Sequence, residues 1–304
     1  MLSHIDTVHP IGMLAGALPF RRDGDKLYGP GVYDMKGGAY LALDALCRVA
    51  RAGTARLPIV HLFTSDEEVG SPTSRELIEA QARGARCVLV TEPARDGGKI
   101  VTARKGVGRF EVTATGIPAH SGGAHRKGRS AIKEMAHQIL AIEAMTDYAR
   151  GVTTTVGLIT GGTAANVIPQ HCRVSVDLRV RDAATGREFE ERILGLKSVD
   201  PDVKLKVTGG MNRPPFEKTQ GIEALLRQAQ GLAREIGFEL ADTRMTGGGS
   251  DGNFTAALGV PTLDGLGAVG GNAHAEGEWA SVTALAQRTT LVAALVRDLL
   301  EETR

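Results

Sequence analysis

The sequence has few cysteines, no surplus of charge of either sign and no long apolar run. Cys47, Cys87 and Cys172 are odd in number and far apart. Neither a disulfide framework nor a Cys-x-x-Cys metal knuckle is therefore indicated. They read as reduced, mostly buried thiols. Lysine and arginine total 36 against 35 aspartates and glutamates, a formal net charge of +1. That balance excludes a nucleic-acid binder acting through bulk charge. No stretch reaches the roughly 18 apolar residues of a membrane span, and no leader peptide is visible. A cytoplasmic protein is the expectation. Internal repeats are absent. What the chain does have is 42% hydrophobic residues, enough for a sizeable core. It also has 39 glycines in 304 residues, well above the usual share of about 7%. They follow no collagen period, so they read as turn and site glycines.

The chain alternates strand-like runs with helical stretches. Residues 58–64 and 87–91 read as buried strands ending in polar residues. Between them Thr73-x-x-Glu76 suggests a capping box for a helix to about Arg83. A helix over 38–52 is expected to bury Leu43, Leu46, Cys47 and Ala50. Strand–helix–strand order argues for a largely parallel sheet covered by helices. The texture changes near Lys105. Strands at 109–115, 153–159, 171–181 and 203–207 alternate with helices near 129–146 and 184–194, the first with Ile132, Met135, Ile139 and Ile142 on one stripe. This pattern predicts a compact α+β sandwich with its helices on one face. Helices at 222–236 and 281–302 return the chain to the first domain. The expected organisation is a discontinuous α/β domain, 1–104 and 215–304, interrupted by an inserted domain, 105–214.

Polar residues cluster at the carboxyl ends of the predicted strands, where open α/β sheets bind ligands. His4-x-Asp6 puts two side chains on one strand face, and Asp6 can orient the His4 ring as a ligand. Asp34 follows Gly29-Pro-Gly31 in a turn before a helix. Asp66-Glu67-Glu68 follows the strand ending at Thr64, and three adjacent acids there repel one another without a cation or donors nearby. Glu92 sits in Thr91-Glu92-Pro93 after the next strand. Taken singly, these also read as a turn histidine, a helix N-cap and a solvated acidic loop. Gly247-Gly-Gly-Ser-Asp-Gly-Asn253 tempts a phosphate-cradle reading, but it lacks the Walker ending and the Gly-x-Gly-x-x-Gly order. Counted together, His4, Asp34, Glu68, Glu92 and His274 suit a pair of divalent zinc ions sharing a bridging carboxylate. Such a pair activates water and polarises a carbonyl, with Glu67 as the general base that passes the proton to the leaving amine.

The ordered set His4-x-Asp6, Gly31-x-x-Asp34-Met-Lys-Gly-Gly, Asp66-Glu-Glu68, Thr91-Glu92-Pro and His274 resembles the co-catalytic zinc amidohydrolase and exopeptidase family. That family includes glutamate carboxypeptidase, acetylornithine deacetylase, succinyl-diaminopimelate desuccinylase and aminoacylase. The resemblance covers essentially the whole chain. It implies a zinc-exopeptidase-like α/β fold: a mostly parallel sheet with helices on both faces, interrupted by an inserted α+β lid and dimerisation domain. His4, Asp34, Glu68, Glu92 and His274 match the metal ligands, with Asp34 bridging two zinc ions (cobalt as a possible substitute) and a cis peptide bond after it. Asp6 matches the acidic partner of the first ligand and Glu67 the base. His120, in Gly116-Ile-Pro-Ala-His120-Ser-Gly122, resembles the lid histidine that reaches the partner subunit's site and donates to the oxyanion. Asn166 matches a substrate-contacting asparagine, and Arg213 an arginine that holds the substrate carboxylate.

The stretches 157–167 and 244–251 look closest to the glutamate carboxypeptidase branch. Release of a C-terminal, glutamate-like amino acid from an N-acylated or peptide substrate is the expected reaction, and N-acyl amino-acid deacylation the alternative. A homodimer with no nucleic-acid or membrane partner is expected. His9, His61, His125, His137 and His171 receive no role, and Trp279 reads as a packing anchor. One departure stands out. The family carries helices and a strand before its His-x-Asp motif, whereas Met1 lies three residues before His4. The expectation is a catalytic domain lacking its N-terminal part, with an inactive dimeric binding module as the non-enzymatic alternative.

Overall fold

The structure, a computed structural model, describes residues 1–53 and 55–301. The chain divides into two compact units, Met1–Arg104 with Phe216–Arg304, and Lys105–Pro215. The first unit opens with β1 (Leu2–His4), β2 (Arg21–Asp23), β3 (Lys26–Tyr28), α1 (Lys36–Ala52), β4 (Leu62–Thr64), α2 (Arg75–Ala82) and β5 (Val88–Leu89). The second unit holds β6 (Gly106–Thr115), β7 (Ala119–His120), α3 (Ala131–Glu143), β8 (Thr153–Gly161), β9 (Val167–Ile168), β10 (His171–Val180), α4 (Ala183–Leu194) and β11 (Lys204–Arg213). The chain then completes the first unit with α5 (Gln220–Ile236), α6 (Gly252–Ala257), β12 (Thr262–Leu263), β13 (Gly270–Gly271), β14 (Trp279–Ser281) and α7 (Val282–Glu301). Arg104 and Phe216 exchange both backbone hydrogen bonds, 2.9 and 3.0 Å, at the point where the chain leaves the first unit and returns.

Parallel pairing dominates around the polar strand ends of the first unit. β1 runs parallel to β4, with His4 opposite Thr64, and Leu2 bridges Val90 in parallel on its other side. β5 runs parallel to β12. Beside these the order β13-β14-β3-β2 forms an antiparallel sheet that the sequence pattern did not reveal, because its strands are two or three residues long. The core of this unit joins Leu41, Ala45 and Val49 of α1 to Leu225, Leu226 and Ala229 of α5 and Leu291, Val292 and Leu295 of α7.

Two details of the helices differ from expectation. The buried stripe of α1 is Gly38, Leu41, Ala42, Ala45 and Val49, and Leu43 is 47% exposed. Small residues at helical spacing let α1 sit close to its neighbours, whereas the larger Leu43 turns outward. The capping box at Thr73 does not form. α2 starts after Ser74 without a side-chain cap. The Thr73 hydroxyl instead donates to Asp66 Oδ2 at 2.7 Å, and the Thr73 and Ser74 amides donate to the same oxygen at 2.7 and 3.1 Å.

The second unit is a four-stranded antiparallel sheet, order β11-β6-β10-β8. β10 alternates strictly along its start, so Cys172, Val174, Val176, Leu178 and Val180 face a core shared with Met135 and Ile142 of α3 and Phe189 and Ile193 of α4. Ile132 departs from the expected stripe and is 41% exposed. Its place on the inner face is taken by Ala131 and by Glu134, whose carboxylate accepts from the Val199 and Asp200 amides at 2.9 and 3.0 Å.

Candidate metal centre

The site is built where four loops of the first unit leave their strands. His4 ends β1, buried. Asp34 lies in the turn before α1, and its peptide bond to Met35 is cis. Glu67 and Glu68 follow β4, and Glu92 follows β5 with its carboxylate buried. His274 comes from the loop after β13 and holds a left-handed backbone, φ +64°. That conformation is unfavourable by roughly 1 kcal/mol for a non-glycine residue and clusters at functional sites. Gly38 brings these loops together. A methyl group there would stand 1.9 Å from the carbonyl oxygen of Thr91, the residue before Glu92, so only glycine allows the first turn of α1 to lie against that strand end.

The side chains converge in two triads that share Asp34. His4, Asp34 and Glu92 form one; Asp34, Glu68 and His274 form the other. Within each triad the possible ligand atoms lie within 4.8 Å of one another. His4 Nε2 stands 3.3 Å from Asp34 Oδ1 and 3.7 Å from Glu92 Oε1. His274 Nε2 stands 3.3 Å from Asp34 Oδ2 and 3.6 Å from Glu68 Oε2. Asp34 thus turns one oxygen to each triad. On the other side of the His4 ring, Nδ1 lies 3.1 Å from the Asp6 carbonyl oxygen and 3.4 Å from its carboxylate. Asp6 Oδ2 also accepts the Glu68 amide at 3.0 Å.

The electrostatics show a site short of positive charge. Burial and the Asp34 charge push the Glu92 carboxyl well above its ordinary range. Burial and the same charge also raise Glu68. Burial alone would depress His4, but its contacts with Asp34 and Asp6 and the charges of Glu92 and Glu67 outweigh it, and its pKa is pushed up to about 12. The contact with Asp34 raises His274 as well. Burial would raise Asp34, yet the two imidazoles hold it below the usual carboxylate range. Each histidine is being treated by the carboxylates as a cation.

A divalent metal fits this donor set. Two ligands each about 2.0 Å from a tetrahedral ion stand about 3.3 Å apart, which is the separation of both imidazole nitrogens from Asp34. Glu68 Oε1 is buried without a hydrogen-bond donor, as a carboxylate oxygen waiting for a cation would be. Nitrogen and carboxylate donors without thiolate suit zinc-like ions.

His120 and Asn166 meet in the second unit instead. β7 pairs antiparallel with β9, His120 opposite Val167, and the Ser121 amide donates to the Asn166 carbonyl at 3.0 Å. Both side chains are exposed. His120 Nδ1 accepts the Gly122 and Gly123 amides at 3.1 and 3.0 Å, which leaves Nε2 as the N–H donor. Arg213 ends β11 in the same unit and is 4% exposed.

Three supports escaped the sequence reading. Asp251 accepts from Thr64 Oγ1 at 3.0 Å and from the Ser71 hydroxyl, so it braces both ends of the segment carrying Glu67 and Glu68. Asp264, fully buried, accepts from Arg104 Nε at 2.7 Å and Ser250 Oγ at 2.5 Å. Arg104 Nη1 in turn donates to the Gly248 carbonyl at 3.2 Å. The glycine-rich loop 247–253 is therefore committed to internal bonds. The third support is Glu278, buried four residues after His274. In each case only a lone acid beside glycines or beside a ligand marked the position. Trp279, expected as a packing anchor, is half-buried in β14 with the Lys26 ammonium 4.3 Å from its ring centroid.

The model of peptidase family M20/M25/M40 matches residues 1–298. The chain belongs to this family. It is 34% identical over 307 residues to carboxypeptidase G2 of Pseudomonas sp. (strain RS-16), covering 98% of this chain and 73% of that protein. It is 27% identical to the succinyl-diaminopimelate desuccinylase of Ruegeria pomeroyi, covering 97% of this chain and 81% of the other. A tripeptidase from Staphylococcus aureus superposes with a TM-score of 0.75 at 22% identity, over 99% of this chain and 80% of that one. The M20 chain is accordingly a metal-dependent hydrolase of amide bonds, with the α/β fold of the family. Among the described residues no helix is long and apolar enough to cross a membrane.

Proposed function

We propose that the chain is a zinc-dependent carboxypeptidase that releases a C-terminal, glutamate-like amino acid from an N-acylated or peptide substrate. The observation that carries the metal-dependent part is the pair of ligand triads joined through Asp34. The choice of carboxypeptidase rests on the similarity to carboxypeptidase G2 over nearly the whole chain. His4, Asp34 and Glu92 would hold one ion, and Asp34, Glu68 and His274 the other. When bound, the ions supply Lewis acidity that polarises the scissile carbonyl and lowers the pKa of a water. Asp6 orients the His4 ring from its Nδ1 side. Glu67, whose charge is felt at His4 and Glu92, takes the proton of the attacking water and returns it to the leaving amine. His120 reaches the partner subunit's site and donates from Nε2 to the developing oxyanion there, Asn166 contacts the substrate, and Arg213 holds its carboxylate. A homodimer formed through the second unit belongs to the same reading. Its edge strand β8 leaves Leu158 and Ile159 exposed on opposite faces, and a second copy pairing along that edge would shield its open backbone.

Removal of an N-succinyl or N-acetyl group is the second reading, favoured by the desuccinylase match over 97% of the chain. The deciding experiment is hydrolysis of a panel of N-acyl amino acids and dipeptides by chain loaded with zinc or cobalt. Rates governed by the released amino acid, glutamate foremost, abolished by EDTA and restored by zinc, support the carboxypeptidase. Rates governed by the acyl group favour the deacylase. A dimer that binds no metal and turns over nothing would sink both.

A further inference from the structure

Glu278 lies four residues after His274 and is fully buried. Its carboxylate is saturated. Oε1 accepts the backbone amides of Tyr33 and Asp34, each at 2.9 Å. Oε2 accepts the Gly31 amide at 2.9 Å and His9 Nε2 at 2.7 Å. A carboxylate offers about four acceptor positions, and all four are filled. His9 Nε2, facing an acceptor, is the N–H nitrogen of its ring, and its side chain is 6% exposed.

The backbone of Glu278 ties in the same way. Its carbonyl accepts the Gly29 amide at 3.4 Å, and its own amide donates to Ala275 at 3.2 Å. The loop between is closed by Asn272 Nδ2 on the Gly277 carbonyl at 3.3 Å. One residue thus clips the turn that presents Asp34 to the loop that presents His274. His4 and Glu92 owe nothing to this clip: they leave β1 and β5, whose ends are joined by the Thr91 amide on the Leu2 carbonyl at 3.2 Å.

We propose that Glu278, itself steadied by His9, is a positioning residue that sets the separation of Asp34 from His274 and thereby the affinity of the second metal position. The inference rests on the two-metal reading of the site. Supporting partners of metal ligands typically contribute about 10- to 100-fold in affinity. Both triads use Asp34, but the first takes its other two ligands, His4 and Glu92, from strand ends outside the clip, whereas the second also takes His274 from it, so the effect falls more heavily on the second ion. An isosteric amide in place of Glu278 turns an NH2 group toward backbone N–H donors that need an acceptor, so the clip opens while the volume stays the same.

The test is a stepwise titration of metal-stripped full chain with Co(II), followed by its visible absorption and by calorimetry. Glu278→Gln is expected to weaken the second binding step by about 10- to 100-fold and the first, which shares only Asp34 with the clip, by clearly less. Equal weakening of both steps, or no change in either, overturns the proposal. His9 supplies a second route should that variant fail to fold. His9→Phe removes the donor and is expected to weaken the second step, whereas His9→Gln, which keeps a donor, restores it. Identical titrations of the two His9 variants overturn the proposal. Wild-type chain that takes up fewer than two Co(II) ions would fail at an earlier point, removing the two-metal reading and this inference together.

Discussion

Adjacent glutamates stand differently after β4. Glu68 stands in the second triad, 3.6 Å from His274, while Glu67 contributes no ligand atom to either triad and acts on them through its charge. Glu67→Gln is therefore expected to lower kcat by about 100- to 10,000-fold with both ions retained in elemental analysis; full activity would remove the base assignment. His61 offers a different residue-scale test, on stability. Burial, and then the positive amino terminus, push its pKa down to about 4. Its contribution to stability is complete above the unfolded value of about 6.5 and is lost as pH falls from there towards 4, where the unfolded chain binds the extra proton. Since the ring is only partly buried, the loss is about 1 kcal/mol after allowance for solvent screening. Urea unfolding at pH 6.5 and 4.5 should show that difference shrink in His61→Gln.

At the scale of elements, the seating of α1 controls the site. Gly38→Ala places a methyl group against the Thr91 backbone, and the helix must shift away from the strand end that leads to Glu92. A loss of roughly 2–4 kcal/mol is expected in urea unfolding. Gly84→Ala, where a methyl meets nothing within 4 Å, should stay within about 0.5 kcal/mol. Elements were also where sequence reading worked and failed. The strands β6 and β10 and the helices α3, α4, α5 and α7 were legible because buried residues recur along them with a clear period, whereas β8 lies where expected without alternating and β11 runs on to Arg213, past the expected end at 207. The strands β13, β14, β3 and β2 were not legible, since two or three residues carry no period. The helical face of α1 was misread because four of its six buried positions, Gly38, Ala39, Ala42 and Ala45, are small and carry little apolar signal beside Leu41 and Val49. His4, Asp34, Glu68, Glu92 and His274 could be picked out together because each directly follows a strand or turn signal. Glu278, Asp264 and Asp251 could not, because most of their partners, such as His9, Arg104 and Thr64, lie far along the chain.

For the molecule as a whole, all five candidate metal ligands lie in residues 1–104 and 216–304, and His120, Asn166 and Arg213 in the other unit. A chain in which 105–215 is replaced by a two-residue turn is expected to bind two Co(II) ions and to lose hydrolysis. Metal content and turnover measured on the same preparation check both halves. If turnover survives at the full rate, the second unit has no part in the reaction. The splice is feasible because of the reciprocal hydrogen bonds between Arg104 and Phe216, which hold the two ends of the first unit side by side as in a hairpin. Such a stem has an evolutionary consequence. A segment grafted onto it can be lengthened, exchanged or redesigned without rethreading the chain that carries the metal ligands. Under the reading proposed above, the insert can therefore be remodelled, with its substrate contacts and oxyanion donor, while the metal ligands stay fixed.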